Sequence, residues 1–215
     1  MLPRFMLSLS LLLSTTMLFA DVVAKKIMVI SGIPGSGKST VIGELKKRGV
    51  QALYLSYGTE MKKLAPTSMD RDSLRKDTAE HQHARANQAA HNIRKALADS
   101  SYELAIVDTH TLILGADGKY VEGLSNSVVA ILQPKIVVFL KPESKEIHAR
   151  REKDTSRRRD IQTIEEIEKH QQDCIAFLNN KFPGKAFVIA NNDGGALAAA
   201  GEVFKLIPVQ HFSKL

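Results

Sequence analysis

Among 215 residues there is one cysteine, Cys174, so no internal disulfide can form. A lone thiol fits a reducing compartment. Cys174 lies in a helical pattern with Ile175 and Phe177 and reads as buried apolar filler, not as a reactive group. Internal repeats and low-complexity linkers are also lacking, which leaves one domain as the natural division of a chain this long. No apolar run is long enough for a firm membrane-span assignment. Cations outnumber anions, 30 Lys and Arg against 23 Asp and Glu, for a formal net charge of +7. That balance suits an anionic ligand, whether nucleotide, nucleic acid or membrane surface, and composition does not choose among them.

Residues 1–24 stand apart from the rest. The stretch "MLPRFMLSLSLLLSTTMLFA" carries one cation, Arg4, and then a run dominated by Leu, Met and Ser. Three readings fit it: a signal or anchor, a start set too early with Met17 as one in-frame alternative, or an ordered extra helix. A membrane becomes a partner only if this segment is retained as an anchor. The core is expected to begin at Lys25, so 25–215 is the working domain.

Within that domain, apolar runs alternate with helical patterns. "KKIMVISG", "VQALYLSYG", "YELAIVDTH", "PKIVVFLK" and "GKAFVIANN" read as strands, the continuous ones buried on both faces. "KSTVIGELKKRG" reads as a helix closed by Gly49. Asp70 to Ser100 holds no Gly or Pro and reads as one long helix. "NSVVAIL" is a short helix stopped by Pro134, and "PESKEIHARREKD" a helix opening on Pro142. Thr163 and Glu166 form a capping box for the helix that follows, and "ALAAAGEVFKLI" is the last helix. Five apolar strands with helices between them predict an α/β fold: a five-stranded parallel sheet covered on both faces, in three layers.

The stretch "ISGIPGSGKST" carries the chemistry. Gly32, Gly37, Lys38 and Ser39 match G-x-x-x-x-G-K-[ST], placed between a predicted strand and a helix. Small residues let backbone N–H groups converge on phosphate oxygens, and the helix start adds its positive end. Gly32, Ile33, Pro34, Gly35, Ser36, Gly37, Lys38, Ser39 and Thr40 are therefore the expected nucleotide-binding set. Lys38 reaches the β- and γ-phosphates, and the Ser39 hydroxyl takes a Mg²⁺ position. Asp108, at the end of the strand "AIVD", is the expected acidic partner for Mg²⁺, directly or through water.

Taken in order and spacing, "SGIPGSGKST", "SYGTEMKKLA", "DRDSLRKD", "VDTHTLI", "GLSNSVVAILQPKIVVFL", "HARREKDTSRRRD" and "EEIEKHQ" resemble the archaeal-type adenylate kinases, from Lys25 to the last helix. The N-terminal extension departs from that pattern. The resemblance implies a P-loop kinase that transfers phosphate from ATP to AMP, giving two ADP, with Mg²⁺. It implies a nucleoside-monophosphate region at about 56–98 and a lid at about 150–161. It also implies a cytoplasmic enzyme, on which the extension bears, and a homo-oligomer, since members are often trimers. No nucleic-acid partner is expected.

The residues support those assignments separately. Arg71 and Arg75 lie four apart at the start of the predicted long helix and share a face. By resemblance Arg75 holds the acceptor phosphate, with Arg71 beside it and Tyr57, Gly58 and Thr59 closing the second strand next to AMP. Arg150, Arg151, Arg157, Arg158 and Arg159 bracket a polar loop, and the guanidinium fork suits phosphate. The family's lid positions match Arg150, Arg157 and Arg159, which with Lys38 and Arg75 form the expected catalytic set. No aromatic residue interleaves these arginines, which argues against a nucleic-acid patch. Asn191 and Asn192, after the fifth strand, lie where a loop can contact the adenine of ATP, and a plain turn fits them equally. His81, His83, His91 and His110 show no i,i+4 pair of the kind that binds zinc on a helix, and His110 reads as a hydrogen-bonder beside Asp108. Two alternatives stay open: another small P-loop kinase with a different acceptor, and an ATP-regulated module that binds RNA or protein.

Overall fold

The computed structural model describes residues 25–69, 77–115, 118–154 and 162–207. The expectations for 1–24, and those resting on Arg71, Arg75, Arg157, Arg158 and Arg159, lie outside the described residues. Five strands, β1 (Lys26–Ser31), β2 (Leu53–Ser56), β3 (Leu104–Asp108), β6 (Ile136–Lys141) and β7 (Ala186–Ala190), form one sheet in the order β2-β3-β1-β6-β7. Every pairing in it is parallel. A second, two-stranded antiparallel sheet pairs β4 (Leu112–Leu114) with β5 (Tyr120–Glu122). The helices are α1 (Lys38–Lys47), α2 (Tyr57–Lys63), α3 (Ala79–Asp99), α4 (Asn126–Leu132), α5 (Ser144–Lys153), α6 (Ile164–Lys181) and α7 (Ala196–Lys205).

The apolar strands follow from burial on both faces. In β1, Ile27 and Val29 enter one core layer, and Met28 and Ile30 enter the other. The same alternation splits Ala105 and Val107 from Leu104 and Ile106 in β3. One layer is completed by α2, α3, α4, α5 and α6, and the other by α1 and α7. The three-layer α/β architecture is thus the one the alternating runs predict. Cys174 sits in the first layer without exposure, and burial pushes its thiol up to about 12. Such a thiol stays protonated and inert. Among the described residues no helix is long and apolar enough to cross a membrane.

Three elements differ from expectation. The second strand ends at Ser56, and Tyr57, Gly58 and Thr59 form the first turn of α2 instead of closing the strand. Tyr57 is buried, and its hydroxyl donates to the Ala86 carbonyl at 2.5 Å, a tie to α3 that draws the chain into a helix. A long helix begins at Ala79, where the Thr78 side chain accepts from His81 N, and positions 70–76 of the expected helix lie outside the described residues. The β4–β5 hairpin was not anticipated. The capping box at Thr163 and Glu166 is present, with both reciprocal bonds made.

The topology places the chemistry. β1 lies between β3 and β6, so the connections run to opposite sides of it. Open parallel sheets bind ligands beyond the carboxyl ends of their strands at such a switch point.

Candidate active site

Residues 32–37 leave the end of β1 as a loop, and Lys38 opens α1. Gly37 caps that helix with φ +81°, a left-handed conformation that glycine adopts without strain. A side chain at Gly37 would also meet the Asn191 amide nitrogen at 2.5 Å. No side chain caps α1 and its first turn holds no acidic residue, so the positive helix end faces the loop. Ile33 is buried in the core and anchors the loop, whereas Ser39 and Thr40 are exposed on the first turn.

Protein groups brace the loop carbonyl by carbonyl. Arg150 Nη1 donates to Gly35 O at 3.2 Å, and Arg151 Nε donates to Pro34 O at 2.9 Å. Asn191 Nδ2 donates to Ser36 O at 2.6 Å. Asn191 is 3% exposed, and its side chain lies beneath the loop. Its neighbour Asn192 accepts from Glu143 N at 3.1 Å. Arg150 is itself held by Asp193 and Glu146, which fix its guanidinium beside Gly35. In sequence Arg151 is one cation among those bracketing the polar loop; its place on Pro34 is a contact that no local pattern announces.

Lys38 is almost buried, with its ammonium 3.1 Å from Gly32 O and 4.0 Å from Asp108 Oδ1. Asp108 ends β3 beside β1, in register with Ile30. The chain after Asp108 is tied to β1: Thr109 N donates to Ile30 O at 3.1 Å, and Thr111 Oγ1 to Ser31 Oγ at 3.0 Å. His110 Nδ1 lies 2.7 Å from Gly32 O. Ser39 and Asp108 offer a hydroxyl and a carboxylate, the hard oxygen donors that suit Mg²⁺.

Asp108, Thr109 and His110 also line a second space, an open cleft of ≈ 740 Å³. Tyr57, Gly58 and Met61 of α2 and Gln82, His83 and Ala86 of α3 form one wall. The unanticipated hairpin forms the other, through Ile113 and Val121, which are cross-strand partners. Glycines at 115 and 118, between an apolar run and "KYVE", are the sequence signal that could have found it. Its other face rests on α6. His170 lies 3.1 Å from Leu112 O through Nε2 and stacks on Tyr120, with centroids 4.8 Å apart. Burial lowers the pKa of His170. Lys181 pairs with Glu122 at 2.8 Å. Near the root of α6, the Ser144 hydroxyl, and then Lys141, hold the Glu168 carboxyl below its usual range.

The geometry is that of two sites sharing a seam, with a phosphate cradle on one side and a cleft on the other. The family described as "AAA domain" matches residues 31–168. Among solved structures, a shikimate kinase from Acinetobacter baumannii in complex with shikimate superposes with a TM-score of 0.56 at 17% identity, covering 85% of this chain and 92% of that one. The tunicamycin resistance protein of Deinococcus radiodurans gives 0.55 at 13% identity, covering 88% of this chain and 99% of that one. At those identities the likeness shows the fold alone. Sequence relatives are closer. The adenylate kinase of Methanocaldococcus jannaschii is 38% identical over 78% of this chain and 90% of its own length. That of Methanothermobacter thermautotrophicus is 34% identical over 85% and 98%. A cradle of this design beside a second cleft, in a chain that spans nearly the whole of such relatives, leaves one assignment: the protein belongs to the adenylate kinase family, the archaeal group that its ordered motifs resemble.

Proposed function

We propose that the chain transfers the terminal phosphoryl group of ATP to AMP, giving two ADP, reversibly and with Mg²⁺. The observation that carries this reading is the position of Lys38 and Asp108. They meet where the cradle and the ≈ 740 Å³ cleft adjoin, so a donor and an acceptor held in the two spaces confront each other there.

Phosphoryl transfer asks for positioning and charge stabilisation more than covalent chemistry. Lys38 and the amides of residues 32–40 hold the ATP phosphates. Arg75, supported by Arg71, holds the AMP phosphate, and Tyr57, Gly58 and Thr59 border it. An oxygen of that phosphate attacks the γ-phosphorus, and the bond from γ-phosphorus to the bridging oxygen breaks, leaving ADP on each side. No general base is needed, because the nucleophile is already an anion. Arg150, Arg157 and Arg159 offset the charge that spreads over the transferring group, which is the stage at which such contacts accelerate a reaction. Mg²⁺ supplies charge neutralisation across the phosphates, and Ser39 and Asp108 would hold it or its waters. Asn191 braces the loop in this reading. Cytoplasmic location and homo-oligomeric assembly belong to the same reading by resemblance.

The test is a coupled assay of ADP formation with AMP, CMP, UMP and GMP as acceptors of phosphate from ATP. AMP is expected to give by far the highest kcat/KM. Equal rates with a different acceptor would assign the cleft to another small P-loop kinase. No turnover with any, alongside salt-sensitive RNA binding, would make the chain a binding module.

A further inference from the structure

The buried Gly32 carbonyl ends the run from β1 into the loop, and it has two donors. Lys38 Nζ lies 3.1 Å away and His110 Nδ1 lies 2.7 Å away. A carbonyl oxygen only accepts, so Nδ1 carries the ring proton and donates it. The 3.4 Å approach of Lys38 to His110 is therefore one donor beside another. Two lone pairs let one oxygen serve both.

The arrangement matters when Lys38 changes partner. On the reading above, the ammonium leaves Gly32 for the phosphates of ATP. A buried carbonyl stripped of its donor opposes that move. His110 is placed to prevent the stripping. Its backbone is fixed by the bonds of Thr109 to Ile30 and Thr111 to Ser31 on either side. Gly123 packs so closely that an added side chain would lie 2.1 Å from the His110 carbonyl oxygen. The backbone that carries the ring is therefore pinned on both sides of it.

We infer that His110 is a positioning residue for the donor nucleotide: its Nδ1–H keeps the Gly32 carbonyl satisfied and so releases Lys38 to ATP. The inference rests on the assignment of Lys38 to the phosphates. His110 acts through Gly32 and Lys38, without itself touching the reacting atoms.

Side-chain length provides the test. An asparagine amide nitrogen falls where Nδ1 of histidine lies, whereas a glutamine amide reaches toward Nε2. His110→Asn keeps the donor; His110→Gln and His110→Ala lose it. Mg·ATP is titrated calorimetrically into each protein with no acceptor present, alongside thermal unfolding and steady-state kinetics. His110→Asn is expected to bind ATP within about threefold of the parent. His110→Gln and His110→Ala are expected to bind it about tenfold more weakly or worse, the scale set by one buried polar group losing its match. Their KM for ATP should rise more than their KM for AMP. A purely structural role would lower the melting temperature of all three variants and would not distinguish Asn from Gln. Equal ATP affinity in all four proteins, or His110→Asn as weak as His110→Gln, overturns the inference. Lys38→Ala separates it from the reading beneath. If that variant keeps turnover and ATP affinity, the phosphate assignment itself fails. If it loses turnover while His110→Gln binds like the parent, only the role of His110 fails.

Discussion

Asn191→Ala distinguishes two accounts of one side chain, adenine contact and loop brace. In the structure the amide donates to Ser36 O at 2.6 Å, and the residue is 3% exposed, so bulk water does not reach the bond. Truncation leaves a buried loop carbonyl unmatched, which costs ~1–3 kcal/mol. For a chain of this size each kcal/mol lowers the melting temperature by about 2–4 °C, so a loss of about 2–12 °C is expected. The kinetic consequence follows from what the loop touches. On the proposed reading its amides hold phosphates, and ATP and GTP carry the same triphosphate. A loosened loop should lower kcat/KM for both donors by a similar factor, about tenfold if ~1.4 kcal/mol of the loss reaches binding. The assay is thermal unfolding together with kcat/KM for ATP and for GTP at saturating AMP. The ratio between the donors should stay within about twofold, because a tenfold change would need a base contact worth ~1.4 kcal/mol. An unchanged melting temperature with a collapsed ATP preference would refute the brace and return Asn191 to the adenine.

Arg75→Ala should raise the KM for AMP far more than that for ATP, since its assigned partner is the acceptor phosphate; steady-state kinetics in both substrates decide it, and the reverse pattern would move Arg75 to the donor side. Gly123→Ala should lower stability by about 1–3 kcal/mol and reduce turnover, because the new methyl would lie 2.1 Å from His110 O and must displace the backbone that carries His110; parent-like melting and kinetics would show that the approach is not that close in solution. His170 should make stability pH-dependent. Burial depresses its folded pKa, so its contribution is complete above the unfolded value of about 6.5 and is lost as pH falls through the lowered folded value. His170→Asn should flatten the melting temperature between about pH 6.5 and 5, above the range where carboxylates titrate; an unaltered profile would assign the slope elsewhere.

What was legible in sequence had partners nearby in the chain or a pattern imposed by the fold. The core strands were visible because two buried faces demand continuous apolar runs, as in Ile27 to Ile30. The cradle was visible because phosphate dictates its spacing. Thr163 and Glu166 were visible because a capping box is a contact three residues long. The hairpin was hidden because its three-residue strands put Ile113 and Val121 against a cleft, where a short apolar alternation carries little signal. Tyr57 looked like a strand residue because local propensity favours β, and its tie to Ala86, 29 residues away, overrides that preference. The seam between donor and acceptor is built from longer reaches still. His110 meets Gly32 across 78 residues, Arg150 and Arg151 meet the loop across 115 and 117, and Asn191 meets Ser36 across 155. A histidine, an arginine or an asparagine at a strand or helix end fits many local patterns equally well. Only the sheet order, which brings β3 and the ends of β6 and β7 around β1, selects their partners. The motif therefore announces a site shaped for phosphate, while the partners that His110, Arg150, Arg151 and Asn191 find around it are set by the sheet order and not by local sequence.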